Sequence, residues 1–324
     1  MSVLKLILER RADAALMVFA VLAIYFALFH AAPGDPAMVI AGEMGGADEA
    51  VLNQIRENFG LNKPIHEQFT IYMGRALQGD LGQSYLYSQP VLDLITERLG
   101  PTILLVLTAL VFAIVIGTLM GVFASRRPDS IRSGVVTIFS LVGYAMPVFW
   151  TGILLVILFG KVWPIMPISG MTDPRLYGGF WETTLDVAHH LVLPAFTLAL
   201  IYLALYSRLS RASMLEVLGS DYIRTARAKG LSENVVTYKH ALRNAMMPIV
   251  TMAGLQFGNL LSGAVLVETV YSWPGLGTLA LDSILGRDYP TLLGVLTFGA
   301  ILTIIANQLT DLSYRFIDPR LRIR

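Results

Sequence analysis

Residues Ser207 to Pro248 read SRLSRASMLEVLGSDYIRTARAKGLSENVVTYKHALRNAMMP, with strongly apolar sequence on both sides. A polar, basic stretch between two such runs reads as a loop joining membrane-crossing helices. Its middle carries the signals of a short helix: Asp221 as N-cap, Tyr222 to Lys229 as the helical residues, and Gly230 just past the end. Ser232 is placed to cap a second helix that starts at Glu233 and enters the next apolar run. Ala226, Ala228 and Gly230 are small, so a backbone here can lie close against another protein. The bulky pair Tyr222 and Ile223 opens the same helix. Docking to a partner and a simple solvated basic loop both fit these residues.

The rest of the chain says membrane. Apolar residues make up 55% of it and charged residues 15%, against roughly 25% charged in an ordinary soluble domain. Crossing about 30 Å of hydrocarbon takes about 20 apolar residues. Such runs lie at Asp13–Ala32, Leu99–Ala124, Gly134–Gly160, His189–Tyr206, Ala245–Val267 and Tyr289–Leu312. They show no alternation of apolar and polar residues, which predicts an all-α integral membrane protein and excludes a membrane barrel. The first run is longer than a signal-peptide core, and Phe29-His30-Ala31 breaks the small-x-small cleavage rule, so it is expected to stay as an anchor. The chain has no cysteine, which excludes disulfides and thiolate metal sites.

Basic residues are distributed unevenly. One set of segments holds Lys5, Arg10, Arg11, Arg126, Arg127, Arg132, Arg208, Arg211, Arg224, Arg227, Lys229, Lys239, Arg243, Arg315, Arg320, Arg322 and Arg324. The opposite set is longer and holds only Arg56, Lys63, Arg75, Arg98, Lys161, Arg175 and Arg287. The positive-inside rule then puts both termini and the Ser207–Met246 loop in the cytoplasm. The net charge of +1 conceals this asymmetry.

Residues Pro33 to Arg98 form an outward segment with amphipathic helices. Asp48 caps one that presents Val51, Leu52, Ile55 and Phe59 and ends at Gly60. Pro64 opens the next, with Ile65, Phe69, Tyr72 and Ala76 at helical spacing up to Gly79. Pro90 opens a third, with Val91, Leu94 and Ile95 on one side, expected to end at Gly100-Pro101. The acidic excess of this segment suits either a solvated face or a cationic partner. The outward loop Lys161–Ala188 is rich in Pro, Gly and aromatics, which read as interfacial anchors or as the lining of an entrance.

In the fifth run, Gly254, Gly258 and Ser262 sit four apart, a small-residue stripe that lets helices approach closely. Gln256, Asn259 and Gly263 make a polar stripe beside it. Amides in hydrocarbon must bond to a neighbouring helix or face a wet cavity. Both readings stay open, and Gln256, Asn259 and Ser262 are the pathway candidates. Gly117 and Gly121 form a similar small pair in the second run. Glu268 and Asp311 are the ionisable residues nearest the membrane edges, and Glu268 joins the pathway candidates.

Catalytic patterns are missing. There is no G-x-x-x-x-G-K-[ST] phosphate loop, no H-E-x-x-H and no G-x-S-x-G elbow. His189 and His190 are adjacent, about 100° apart on a helix, which suits no single metal. No enzyme activity is expected of this chain.

Several stretches together resemble the permease subunits of binding-protein-dependent ABC importers. The Ser207–Pro248 loop is similar to their cytoplasmic loop, whose pattern is Glu-Ala-Ala, three residues, Gly, nine residues and an Ile-x-Leu-Pro ending. Aligned on Gly230, Ala226 and Leu242 match, whereas Arg224, Thr225, His240 and Arg243 depart from the pattern. Pro33-Gly34-Asp35-Pro36, Gly60-Leu61-Asn62-Lys63-Pro64-Ile65 and Gly79-Asp80-Leu81-Gly82-Gln83-Ser84 resemble the dipeptide/oligopeptide subfamily, of the B-subunit kind. So do Asp221 to Leu231, His240 to Ala245, Glu268 to Gly277, and Asp318-Pro319-Arg320. These motifs occur in order over nearly the whole chain.

The resemblance implies the type I importer permease fold with about six transmembrane helices. Its divisions would be an anchor helix at 1–32, an outward segment at 33–98 and a permease core at 99–324 carrying the coupling loop 207–246. The helix at Asp221–Gly230 would be a coupling helix, with Asp221, Tyr222, Arg224, Thr225, Ala226, Ala228 and Gly230 against a cytoplasmic ATPase. Arg224 stands where the family has Glu; Asp221 or Glu216 could supply that carboxylate, or the charge pairing with the ATPase could be inverted. Implied partners are a second related permease subunit, two ATPase subunits and an external binding protein, in a bacterial inner membrane. ATP and Mg would belong to the ATPase partners, with no cofactor on this chain and no nucleic-acid partner. Dipeptides or oligopeptides are the implied cargo, with nickel chelates, glutathione and antimicrobial peptides open as alternatives. A solitary ion-coupled transporter is the other class of reading; it would want mid-membrane charges and repeats.

Overall fold

A computed structural model of the chain describes residues 16–24, 26–27, 30, 37–38, 41, 48–58, 60–175 and 178–317, with backbone alone at 55, 58, 254–255, 257–263 and 309–317. Among the described residues all regular structure is helical apart from an isolated bridge, Gln83 to Pro90. The chain divides into two compact units that interleave in sequence. One comprises 1–100 with 278–304, the other 101–277 with 305–324. Residues 278–304, expected in the permease core, cluster with residues 1–100.

In the first unit, residues 16–24 are helical, followed by α1 (Glu49–Asn58) and α2 (Ile65–Leu77). Phe69 and Tyr72, both on the apolar face read for α2, meet Phe26 of the first apolar run at ring-centroid distances of 5.2 and 5.9 Å. His30 and Gln68 add a hydrogen bond of 3.1 Å, while the Gln68 amide donates to the Lys63 carbonyl at 2.8 Å. The amphipathic helix therefore folds back onto the first apolar run. Gly60 sits at φ +67°, the left-handed conformation in which helices commonly end.

α3 (Val91–Ser125) runs unbroken for 35 residues through Gly100-Pro101, where the sequence predicts a stop. Pro101 removes one backbone donor. Its cost is contained: only the Glu97 carbonyl loses an intrahelical partner, and the Pro101 carbonyl accepts from the Trp273 indole at 3.0 Å.

In the second unit, the third apolar run is not a single straight span. α4 (Ile131–Ala145) and the segment Val148–Val162 meet at 105°. The segment is α5 (Val148–Ile157) closed by a π-helical turn, Leu158–Val162. The cause is Pro147, which cannot donate and drives the preceding residue out of the helical region, so Met146 sits at φ −82°, ψ 132°. α6 (Phe180–Leu218) extends the fourth run to 39 residues, so Ser207–Leu218, read as loop, is helical. Then come α7 (Asp221–Ala228), a π-helical stretch at Val235–Ala241, and α8 (Leu242–Val270), which covers the fifth run. α9 (Leu276–Leu285) and α10 (Tyr289–Ile317) complete the chain.

Among the described residues, Val91–Ser125, Phe180–Leu218 and Tyr289–Gln308 are long and apolar enough to cross a membrane, and the bent pair qualifies as a fourth span. α3 divides cleanly: Leu107, Val111, Val115 and Leu119 are exposed, while Leu105, Val106, Ala109 and Ala113 join Leu198, Leu203, Tyr206 and Ile249 in a core. In lipid, an outward apolar stripe is the expected surface. The expected small-residue approach is found at Gly117 and Gly121. A Cβ on Gly117 would lie 2.8 Å from the Leu203 carbonyl oxygen, and one on Gly121 would lie 2.5 Å from that of Ser207. Backbone-to-backbone approach of α3 and α6 therefore needs glycine at both positions.

Candidate functional site

α7 is a helix with two distinct faces. Ile223 is fully buried and Ala226 is 7% exposed, packed with Val122, Met214, Val236, Ala241 and Ala245. The opposite face carries Asp221, Arg224, Thr225 and Ala228, all exposed. Their spacing of three, four and seven residues puts them in one stripe. Ala226, expected on the docking face, instead faces inward, and its small side chain lets α7 lie against α6 and α8. Ser220, not Asp221, holds the N-cap position, and its hydroxyl donates to the Val217 carbonyl rather than capping. Asp221 is the first helical residue, where its negative charge complements the helix dipole.

Other groups hold the loop in shape. The Asn244 amide donates to the Tyr222 hydroxyl at 2.7 Å, tying α7 to the start of α8. Arg227 reaches both Glu233 oxygens, at 2.9 and 3.4 Å. Arg126 donates to the Asn234 side chain at 3.0 Å, fixing the α3–α4 turn to the same loop. Gly230 sits at φ +77° with open space around it. Glycine is thus required there by backbone conformation and not by close contact. Arg224 contacts Asp221 at 3.4 Å with side chains 75% and 95% exposed, a geometry that contributes little to stability and leaves both charges available.

The pathway candidates separate. Gln256 is half-buried on α8, and the side chains of Asn259 and Ser262 lie outside the described residues. Glu268, also a pathway candidate, is enclosed by its own chain. It is completely buried, accepting from the Thr102 hydroxyl and from the Gly277 N–H, each at 2.7 Å. Thr102 in turn accepts from the Leu276 N–H at 2.7 Å. A Cβ on Gly275 would collide with the Glu268 carboxyl, and one on Gly277 would lie 2.5 Å from the Val265 Cα. The Glu268–Gly277 stretch is therefore a turn wrapped around its own carboxyl group. Asp311 lies among the residues described by backbone alone.

Two polar centres escaped the sequence reading. Tyr271 bonds to Thr197 at 2.8 Å and to the Gly152 carbonyl at 3.3 Å, linking α8, α6 and α5. In the first unit, Asp288 is fully buried and accepts from the Ser84 hydroxyl, from the Tyr85 N–H at 3.1 Å and from the Thr291 hydroxyl at 2.7 Å. It pins the Gly79–Gln89 turn to the start of α10. Burial, and then the Asp288 charge, push the Tyr85 phenol above its usual range. The only hint in the sequence was the Gly79–Ser84 motif.

Comparison with known proteins places this geometry. Residues 113–323 match the family described as "Binding-protein-dependent transport system inner membrane component". Residues 3–106 match the N-terminal family of such membrane components. The "Dipeptide transport system permease protein DppB" of Escherichia coli (strain K12) is 41% identical over 314 residues, 92% of each chain. The "Oligopeptide transport system permease protein AppB" of Bacillus subtilis (strain 168) is 38% identical over 91% of this chain and 92% of its own. The "Glutathione transport system permease protein GsiC" of Escherichia coli O6:H1 is 39% identical over 94% of this chain and 95% of its own. Among solved structures, an inward-facing form of the MetNI methionine ABC transporter superposes with a TM-score of 0.55 at 19% identity. It covers 69% of this chain and 96% of its own.

Proposed function

From the premise that the chain belongs to the inner-membrane components of binding-protein-dependent transport systems, we propose that it forms half of the pathway of a peptide importer and couples it to ATP hydrolysis through α7. The chain is a non-catalytic, multi-pass permease subunit of an ABC importer, which works with an ATPase and a binding protein. Dipeptides or oligopeptides are its cargo, a second related permease completes the pathway, and two ATPase subunits bind from the cytoplasm, where both termini lie. One observation carries the coupling role. α7 buries Ile223 and Ala226 in its own chain and leaves Asp221, Arg224, Thr225 and Ala228 outward, on a helix held by Tyr222 and Arg227. Such a helix is stiff enough to pass on a push and bare enough to receive one.

The test is reconstitution of the complex, recovered in mild detergent with its co-purifying subunits, together with its binding protein. ATP-dependent uptake of labelled dipeptides supports the proposal. Uptake of glutathione in preference to peptides would favour the second reading, which the similarity to GsiC motivates. Because the chain has no cysteine, single cysteines at Ser220 and at Lys161 can be labelled with an impermeant maleimide. Labelling of Ser220→Cys from outside intact cells would overturn the orientation.

A further inference from the structure

Beside the coupling loop, a cavity of about 540 Å³ is lined by Arg126, Arg127, Arg132 and Arg227 together with Phe123 and Ser130. Glu233 is the one carboxylate in its lining, and Arg227 already engages both its oxygens. Arg126 spends a donor on the neutral Asn234 side chain. The charges of Arg126, Arg127 and Arg132 are therefore left uncompensated within the cavity wall, all three being exposed. The first turn of α4 adds to this. Ser130 caps it by accepting from Ser133 N–H at 3.2 Å, and the helix N-terminus favours negative charge. A concave site with three unmatched guanidinium groups and a helix N-terminus suits a phosphoryl group, which arginine grips bidentately.

The surroundings say where that group comes from. Phe123, in the cavity wall, is 50% exposed, and Ile131, Val135 and Ile138 of α4 are 87%, 60% and 64% exposed. Ile131, Val135 and Ile138 share one exposed apolar face of α4, which begins one residue after the cavity-lining Ser130. A basic pocket beside an exposed apolar helix face fits a headgroup with its acyl chains alongside, where a soluble anion would need no such face. We propose that this cavity binds the headgroup of an anionic phospholipid from the leaflet on the coupling-loop side. Occupancy would brace the α3–α4 turn against the coupling loop through the Arg126–Asn234 contact. The site is distinct from the outward face of α7; its assignment to the cytoplasmic leaflet rests on the orientation proposed above.

The test uses the purified assembled transporter in detergent, titrated with phosphatidylglycerol, phosphatidylcholine or inorganic phosphate, with bound lipid counted by native mass spectrometry. Phosphatidylglycerol is expected to bind and raise the melting temperature where phosphatidylcholine does not. Arg127→Gln and Arg132→Gln should each weaken that binding about fivefold, with the ATPase subunits still co-purifying. The single variants are also compared without lipid, so that a folding defect shows itself separately. Equal binding of the two lipids, or unchanged binding to the double variant, overturns the proposal. So does saturation by inorganic phosphate that displaces phosphatidylglycerol, which would mean a soluble-anion site. Loss of the ATPase from the arginine variants with lipid binding intact would make the cavity a protein-docking surface instead.

Discussion

Glu268 and Gly277 are joined across a nine-residue turn by a 2.7 Å hydrogen bond from the Gly277 N–H to the Glu268 carboxyl, which is completely buried. The same carboxyl accepts from Thr102, whose oxygen accepts from Leu276 N–H, so one acidic side chain organises three separate donors. Buried polar groups are tolerated when their partners are all present. Here they are, and the result is a rigid corner between α8 and α9 next to the core residues Tyr271 and Trp273.

Gly275→Ala and Gly277→Ala should therefore each destabilise the chain. A methyl group at either position meets the Glu268 carboxyl, which is buried and held by hydrogen bonds from Thr102 and Gly277, or the Val265 backbone. Overpacking of this kind costs about 1–3 kcal/mol. Gly74→Ala is the control, because a Cβ there has nothing within 4 Å. In an exposed helix it should be neutral or stabilising by about 0.5–1 kcal/mol. Thermal melts of the three variants in one detergent decide the matter; equal melting temperatures for all would remove the steric argument.

The two faces of α7 predict opposite failures. Thr225→Trp adds bulk on the exposed face and should lower ATPase co-purification and coupled transport while the melting temperature of the chain stays put. Ala226→Trp forces bulk into the cluster with Met214 and Val236 and should lower the melting temperature first. Gly230→Ala should cost about 1–2 kcal/mol, since φ +77° puts a Cβ against the following carbonyl. If Thr225→Trp assembles and transports normally, the outward face of α7 is not the docking surface.

These residues also mark how far the sequence could be read. Gly230 and the end of the helix before it were legible because a left-handed helix stop is local and leaves a local signature, whereas the N-cap was misplaced by one residue. The helical fold was legible from the length of its apolar runs. The bend at Met146-Pro147 was not, because hydropathy averages over a run and is blind to its direction. The burial of Glu268 left no local signature because its hydroxyl donor, Thr102, lies 166 residues away. Asp288 was invisible for the same reason, lying 204 residues from Ser84. Ala226 was assigned to the wrong face because smallness serves inward and outward packing alike.

Asp288→Ala should loosen the Gly79–Gln89 turn. It deprives the Ser84 hydroxyl, the Tyr85 N–H and the Thr291 hydroxyl of their acceptor at a fully buried position. Each buried donor left without a partner costs about 1–3 kcal/mol. Limited proteolysis between Gly79 and Gln89 should accelerate at least tenfold, as even the low end of that range, summed over more than one donor, implies. Asp288→Asn should behave as an intermediate, since its amide keeps one acceptor oxygen. Wild-type protease resistance in Asp288→Ala would show that the turn is held elsewhere.

Tyr85 gives a prediction for alkaline conditions. Its phenol is held above the usual 10.0, first by burial and then by the negative charge of Asp288. Once pH passes about 10 the unfolded chain releases this proton and the folded chain keeps it, so the folded state binds more protons. Stability must then fall as pH rises through that window, and it is unaffected below it. Tyr85→Phe removes the titrating group and should flatten this part of the curve, while keeping the ring that packs in the unit. Urea midpoints measured between about pH 9 and pH 11 for both proteins test this by their difference in slope. Parallel curves would mean that Tyr85 ionises in the folded protein as freely as in the unfolded one, and that the Asp288 environment does not hold its proton.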